Sequence, residues 1–333
     1  MEYSSTATSR VIHAIQQRQP DSLPEAYRLF NGFYEGLPGL VLDRYGPALV
    51  AFEHGQPGEH QNVILKVSRW VMDNLEGLSA MLLKQRQHPD ERIKNGVLIS
   101  GEALPQTIQE FGVHYALDLH MNQDAGFYLD TRHLRRWLID NMSGLRVLNT
   151  FAYTGSLGVA AGVGGAREVI QTDISQRFLR IAEQSWQLNT LPQDKSQVQA
   201  EDFFRITGRL RHQDQLFDCV LLDPPYFSDT SAGRVDLQAD TTRLVNKVRP
   251  LVGHQGWLVV INNALYLSGE KFMAEIKTLC QSKYLQFMNI IRVPPDITGY
   301  PETIVDAPPA DPAPFNHPTK IVILKVFRKD EKR

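Results

Sequence analysis

The chain has 333 residues, of which 42% are hydrophobic and 22% charged, and its formal net charge is −2. That length suits one large or two ordinary domains with a buried core, and the balanced charge excludes a protein that grips nucleic acid by overall basicity. Two cysteines, Cys219 and Cys280, exclude a disulfide framework and a cysteine metal cluster, and no apolar run reaches the roughly 18 residues of a membrane span.

The first ten residues lack a basic segment followed by an apolar one, so no secretory signal and a reducing, cytoplasmic setting are expected. Val11, Ile12 and Ile15 predict a helix over residues 10–19, and Glu25 to Phe30 reads as a second helical piece after Pro24. Gly36 to Gly46 reads as turn, strand, turn, and Ala48 to Phe52 as a second strand, so a hairpin is expected. Val63 to Leu78 keeps a 3.6-residue apolar period. Strands follow at Ala80 to Lys84, Val97 to Ser100 and Val113 to Leu119. Residues 1–119 therefore predict a small α+β domain without a catalytic constellation. Lys84, Arg86, His88, Arg92 and Lys94 form a basic cluster that reads as a solvated face or as an RNA contact.

From about residue 120 the pattern changes. A helix capped by Asp130 or Thr131 leads into alternating strands and helices. Strands are expected at Arg146 to Thr150, Glu168 to Thr172, Ser196 to Ala200, Cys219 to Leu222, Trp257 to Ile261, Leu285 to Val293 and Lys320 to Phe327. Helices are expected from Gly155, from Ser175, at Phe203 to Leu210, at Asp236 to Val248 and at Gly269 to Gln281. Repeated β-α units predict an α/β fold with a doubly wound, mostly parallel seven-stranded sheet over residues 120–333. The last two strands have no helix between them and should pair antiparallel at one edge. The proline-rich stretch 294–318 reads as a stiff surface excursion or as an active-site lid.

Four successive strand ends carry the candidate chemistry. The first delivers Val147-Leu-Asn-Thr-Phe-Ala-Tyr-Thr-Gly-Ser-Leu-Gly158, where glycines at a helix start let backbone approach a ligand. The second ends at Asp173, 18 positions beyond Gly155, a spacing suited to a carboxylate that accepts both hydroxyls of a ribose. Asp202, beside Phe203 and Phe204, reads as an adenine-amine acceptor or as a helix cap. The fourth strand ends in Asp223-Pro-Pro-Tyr-Phe227. Pro224 and Pro225 stop the strand and leave carbonyls without competing N–H groups, beside two aromatic faces and one carboxylate. A planar, amine-bearing ring suits that corner.

Glycine turn, ribose acid, adenine acid and Asp-Pro-Pro-aromatic in this order resemble the class I, Rossmann-like methyltransferases that use S-adenosylmethionine. Arg28-Leu-Phe-Asn-Gly32, Gly126-Phe-Tyr-Leu-Asp-Thr-Arg132, Leu148-Asn-Thr-Phe-Ala-Tyr-Thr-Gly155 and Asp223-Pro-Pro-Tyr-Phe-Ser228 are similar to strings of the bacterial large-subunit ribosomal RNA methyltransferases that make 5-methylcytosine or 7-methylguanosine. The resemblance implies S-adenosylmethionine as cofactor and ribosomal RNA as substrate, with no metal and no membrane. It puts Tyr128 and Asp130 near the cofactor, with Phe151, Tyr153, Thr154 and Gly155 cradling it. It gives Asp173 the ribose, Asp202 the adenine, and Asp223 the methyl-transfer site, while Asn149, Ile174 and Phe203 flank these contacts.

Three departures bear on the chemistry. There is no room for an RNA-binding PUA domain before the central domain. The cytosine-C5 members carry a lysine shortly before the Gly-x-Tyr-Leu-Asp string, and this chain has Asp124 in that neighbourhood. Those members also place a cysteine just after the fifth strand, because C5 methylation needs a thiolate to add to cytosine C6. Here that strand is followed by Asn262-Asn263-Ala264, and Cys219 and Cys280 read as small buried hydrophobes. A purine nitrogen is therefore the expected acceptor, with Asp223, Pro224, Tyr226, Phe227 and Asn262 as its candidate contacts. A small-molecule or protein acceptor, and a catalytically degenerate RNA-binding module, are the competing readings.

Overall fold

The structure is a computed structural model that describes residues 2–18 and 24–331. The chain forms two compact units. One comprises Met1–Asp130 with Pro294–Ala307, the other Thr131–Val293 with Pro308–Arg333. Residues 120–130 and 294–307, grouped with the catalytic segment on sequence, thus cluster with the first unit.

The first unit begins with helix α1, Glu2–Gln17. Gln19, the last residue of the helix expected here, lies outside the described residues. Next comes strand β1, Ala26–Asn31, where a helix was expected. Five of its six residues are buried, so it lacks the polar stripe of a surface helix, and it pairs antiparallel with β2, Leu40–Tyr45. A helical turn, α2 (Gly32–Glu35), joins them. The expected hairpin of β2 with β3, Ala48–Glu53, is present. Helix α3, Gln61–Asn74, crosses over to β4, Ala80–Gln85, which lies parallel to β3. A short helix, α4 (Glu91–Asn95), leads to β5, Val97–Ser100, completing a sheet of order β1-β2-β3-β4-β5. Two further strands, β6 (Thr107–Glu110) and β7 (Val113–Ala116), form a separate hairpin. The sequence hides β6 because its inward positions are Ile108 and the buried Glu110, only one of them apolar.

The basic cluster is a solvated face only in part, with Arg92 exposed. Lys84 is fully buried, and its ammonium donates to the carbonyls of Asn95, Asn122 and Asp124 at 2.6–2.8 Å. Arg86 pairs with Asp124, Arg92 with Asp90 and Lys94 with Glu91.

The second unit opens with helix α5, Arg132–Asn141. Then β8 (Arg146–Thr150), α6 (Ser156–Val163), β9 (Glu168–Asp173), α7 (Gln176–Leu188), β10 (Ser196–Ala200), α8 (Phe203–His212) and β11 (Phe217–Leu222) alternate as expected. A hairpin of β12 (Phe227–Thr230) and β13 (Gly233–Asp236) follows, and only then helix α9, Thr241–Val248. Strand β14 (Val252–Asn262), helix α10 (Gly269–Cys280), and strands β15 (Leu285–Ile291) and β16 (Lys320–Val326) close the unit. The seven-stranded sheet has order β10-β9-β8-β11-β14-β16-β15. Only β16 runs against its neighbours, slotted between β14 and the edge strand β15. Strands β8, β11 and β14 are almost wholly buried, and Leu148, Val220, Leu222, Leu258 and Val260 form the core with α8, α9 and α10. The order reverses between β8 and β11, a switch point at which crossovers leave for opposite faces and open a crevice.

The proline-rich stretch is not a free lid. Its first part is bolted into the first unit. Asp296 Oδ2 accepts the Arg28 N–H (3.1 Å), the Ile297 carbonyl accepts from Asn31, and Thr303 donates to Glu35 at 2.6 Å. Glu35 also takes both arms of Arg18, at 2.8 and 2.7 Å, and both side chains are fully buried. Its second part belongs to the other unit, where Phe315 is buried beside Phe272 and Asn316 bonds the backbone of Val293 in both directions.

A buried pair is costly to break singly, because the remaining charge has no water. Glu35→Ala should lower the unfolding free energy by about 3–5 kcal/mol, read from urea denaturation. The double variant Arg18→Met, Glu35→Leu should lose less than either single change.

Candidate functional site

The loop after β8 carries three left-handed residues in five: Phe151 (φ 54°), Tyr153 (φ 52°) and Gly155 (φ 77°). Side-chain residues rarely adopt that region, and it persists only where surroundings over-determine it. Here they do. Ala152 N–H donates to the Thr172 carbonyl (2.8 Å), Tyr153 N–H to Asp173 Oδ2 (2.9 Å) and Gly155 N–H to the Ala152 carbonyl (2.8 Å). The Tyr153 ring meets Phe178 edge-on, and Phe151 stacks on Phe203 with centroids 4.5 Å apart. Thr154 is buried within the loop.

The glycines are required by packing within the protein. A Cβ on Gly155 would lie 2.3 Å from Ala182 Cβ, and one on Gly158 would lie 2.2 Å from Gln171 Oε1. They let α6 close on β9 and α7; the close approach is to protein. Asn149 is likewise internal. It is buried, donates to Gln171 at 3.3 Å, and its Oδ1 has no protein partner. It supports the loop from below.

Asp173 ends β9 as expected. Oδ1 accepts the Ser175 N–H at 2.9 Å and Oδ2 that of Tyr153. Burial raises its carboxyl above the usual range, while the backbone N–H groups of Ser175, Tyr153 and Ile174 pull it back. Ser175, not Asp173, caps α7. With three backbone donors on about four lone-pair sites, the carboxylate keeps acceptor capacity for one further O–H. Ile174 beside it is 66% exposed, an apolar side chain left uncovered at a strand end.

Asp202 is the helix cap that one of its two readings expects. Oδ1 caps α8 through the N–H groups of Phe204 (2.8 Å) and Arg205 (3.3 Å), and Oδ2 accepts the Thr230 hydroxyl at 2.7 Å. One lone pair of Oδ2 is left for an incoming amine. Thr230 comes from the unexpected β12–β13 hairpin, so that hairpin is tied to the N-terminus of α8.

Asp223, half-buried, ends β11 on the other side of the switch point, with Pro224 buried behind it. Tyr226 is 46% exposed, and its hydroxyl donates to Gln238 at 3.1 Å. Phe227 is 51% exposed. Asn262 is not available to a ligand. It is fully buried, its amide donates to the Leu237 carbonyl and Thr241 (both 3.0 Å), and its oxygen accepts the Ala264 N–H. It braces the loop, whereas Asn263 next to it is exposed.

Sequence reasoning missed Lys320. It is fully buried on β16 opposite Asn262 and donates to the carbonyls of Ala264 (3.0 Å) and Pro318. Asn262 and Lys320 thus hold the loop after β14 from its N–H and carbonyl sides. Without an alignment, a lone lysine opening a strand gave no signal. Cys219 lies inside β11 between Val147 and Trp257, and burial pushes its thiol well up; burial also raises Cys280. Neither is a thiolate nucleophile. Among the described residues no group of three or more His, Cys, Asp or Glu could hold a metal, and no helix is long and apolar enough to cross a membrane.

Tyr128 and Asp130 belong to the first unit. The Tyr128 hydroxyl donates to Asp124 Oδ2 at 3.2 Å, and Asp124 Oδ1 takes Arg86 at 2.8 Å. Basic residues from β4 thus surround the neighbourhood where the resembled family has a lysine.

The family model for S-adenosylmethionine-dependent methyltransferases matches residues 49–307. A relative from Erwinia tasmaniensis named ribosomal RNA large subunit methyltransferase I is 34% identical over 212 residues, covering 61% of this chain and 52% of the relative. One of the same name from Aeromonas hydrophila is 36% identical over 210 residues, covering 62% and 53%. The chain spans about half the length of these curated relatives. A crystal structure described provisionally as a methyltransferase, complexed with SAH, superposes with a TM-score of 0.83 at 21% identity, covering 97% of this chain and 82% of that chain. This last likeness speaks for the fold.

Lys320 has a pH signature. Burial lowers its pKa from 10.5 to about 8, so between these values the unfolded chain holds the proton and the folded chain has lost it. Stability rises with pH wherever the unfolded state binds more protons. From pH 8 to 10.5 the wild type should therefore gain stability relative to Lys320→Met, in paired urea titrations. Parallel curves would show that Lys320 keeps its ordinary pKa.

Proposed function

The chain belongs to the S-adenosylmethionine-dependent methyltransferases, and from that premise we propose that it methylates a base of ribosomal RNA at a purine nitrogen, in the cytoplasm. The observation that carries this reading is the corner after β11. One carboxylate, Asp223, stands beside a half-exposed Tyr226 whose hydroxyl is anchored, and no thiolate is present to activate a pyrimidine carbon. The names of the relatives support the RNA substrate.

The crevice residues fit the cofactor. An uncovered Ile174, a carboxylate with a spare lone pair at Asp173 and a pre-formed left-handed loop suit an adenosine and its amino-acid tail better than they suit water. Asp173 would hold the ribose, Asp202 the adenine amine with Ile174 and Phe203 beside the ring, and Phe151 to Gly155 the remainder. When bound, S-adenosylmethionine supplies a methyl group on a sulfonium, whose departure needs no proton.

This chain's own part is orientation and exclusion of water. Tyr226 stacks the acceptor ring. Asp223 accepts from an exocyclic amine or ring N–H and so turns a nitrogen lone pair toward the crevice. Pro224 and Pro225 keep that turn rigid and leave carbonyls as further acceptors. Asn263 presents an exposed amide, which Asn262 and Lys320 hold in place. A base drawn from a duplex has to be flipped out to reach this corner.

The experiment incubates the protein with methyl-labelled cofactor and unmodified large-subunit RNA, then identifies the labelled nucleoside by mass. Labelled guanosine or adenosine is expected; 5-methylcytidine would overturn the nitrogen assignment. Cofactor binding without label on RNA would move the reading to a small-molecule or protein acceptor, or to a binding module. Asp223→Ala should lower kcat by about 10²-fold while calorimetric cofactor affinity changes far less. Equal losses would count against Asp223 at the acceptor.

A further inference from the structure

The hairpin that leaves the Asp-Pro-Pro-Tyr corner is two-faced. Its register pairs Phe227 with Asp236, Ser228 with Val235, Asp229 with Arg234, and Thr230 with Gly233. Opposed residues share a face, and successive ones alternate. One face is therefore Ser228, Thr230, Gly233 and Val235, and it is turned inward. Val235 is buried, Thr230 bonds Asp202, and a Cβ on Gly233 would lie 2.5 Å from the Phe204 ring. The other face is Phe227, Asp229, Arg234 and Asp236, and it is turned to solvent.

Tyr226 immediately precedes β12, is 46% exposed, and its carbonyl accepts the Leu237 N–H at 3.0 Å. Because β12 begins at Phe227, the alternation fixes only Phe227 on the solvent-turned face, and a base on Tyr226 leaves that ring for a second nucleotide.

We propose that Phe227 and Arg234 form a second base-stacking subsite, which takes a nucleotide flanking the one on Tyr226. This inference rests on the RNA reading above. The Arg234 guanidinium sits 4.9 Å from the Phe227 ring centroid and 3.5 Å from Asp236, so a cation lies against a ring that is 51% exposed. The subsite is rigid. Arg243 donates to the Arg234 carbonyl and pairs with Asp240 at 2.7 Å, and Arg205 donates to Ser231 at 3.2 Å. A lone exposed phenylalanine is ordinary. This one lies on an otherwise charged strand face, one residue from the acceptor corner, on a hairpin anchored to Asp202. Stacking uses the π-face that every base has, so the subsite is tolerant of sequence. The exposed carboxylate of Asp229, on the same face, is an acceptor for a ribose 2′-hydroxyl, which favours RNA over DNA. The class of ligand is a single-stranded or splayed RNA segment of at least two nucleotides.

The test compares Phe227→Leu, which keeps the apolar contact and removes the π-face, with Tyr226→Leu. Two readouts are used: binding of a fluorescein-labelled mixed-sequence RNA hexanucleotide, and methylation of a transcribed large-subunit RNA. Phe227→Leu should weaken hexanucleotide binding and raise the transcript KM about tenfold, with the loss falling on KM; Tyr226→Leu should fall mainly on kcat. Arg234→Gln, which spares the core, should weaken binding in the same direction and to a smaller extent. If Phe227→Leu and Arg234→Gln leave both binding and KM within about twofold of wild type, the subsite does not exist. If Phe227→Leu lowers kcat as Tyr226→Leu does, both rings serve one base and the inference also fails. If wild type neither binds nor methylates RNA, the RNA reading itself falls, and this inference with it.

Discussion

The crevice depends on one hydrogen bond, from the Tyr153 N–H to the Asp173 carboxylate. The loop after β8 holds two side-chain residues at positive φ, a conformation costing on the order of 1–3 kcal/mol each. A carboxylate that accepts a main-chain N–H across the strand boundary stabilises that shape directly. Because the same carboxylate also takes the Ser175 N–H, it locks the end of β9 to the end of β8. The spacing between them is then set before any ligand arrives. Burial alone would favour the neutral acid; the backbone donors offset this and keep the group an acceptor.

The acceptor side uses the same device with different residues. Asn262 and Lys320 are wholly buried, and both direct their polar atoms at the backbone of Ala264. A buried cation without a carboxylate beside it is expensive unless its protons are satisfied. Lys320 therefore reads as a structural clamp whose cost is justified by what it positions: the backbone of Ala264, next to the exposed Asn263. The comparison with Lys84 is instructive. That lysine has three carbonyl acceptors for its three protons, and it anchors the segment of Asn122 and Asp124 in the first unit in the same manner.

Much of this was legible in the sequence, for definite reasons. The α/β alternation from residue 131 onward shows because β11 and the later part of β14 are buried on both faces and so carry short apolar runs, Cys219 to Leu222 and Trp257 to Ile261. Asp173, Asp202 and Asp223 were found because strand ends can be counted. What escaped was encoded by polar contacts. The β12–β13 hairpin turns Ser228 and Thr230 inward, so its alternation carries almost no hydrophobic signal, and its anchor is a hydroxyl on a carboxylate. Strand β1 was read as helix because its buried residues leave no periodicity to choose between the two. Asn262 was placed at the ligand on position alone, whereas its neighbours in space claim all of its hydrogen-bonding groups. Gly155 and Gly158 were rightly marked as places where only glycine fits, and the body they admit within the protein is α7 and Gln171.

The strongest chemical discrimination comes from what surrounds Cys219. A cytosine carbon needs a covalent thiolate adduct to become nucleophilic; a purine nitrogen already has a lone pair. The Cys219 thiol sits between two strands of the central sheet, and burial drives its ionisation in the unfavourable direction. Cys280 is held back by burial as well, on a helix that forms part of the core packing. An acceptor that brings its own lone pair asks the protein only for a stacking surface, a hydrogen-bond acceptor and a rigid frame. On the function proposed above, the corner after β11 would supply these three in Tyr226, Asp223 and the Pro224-Pro225 turn. A chain built this way works through placement, which is why so many of its buried polar groups are devoted to fixing loops.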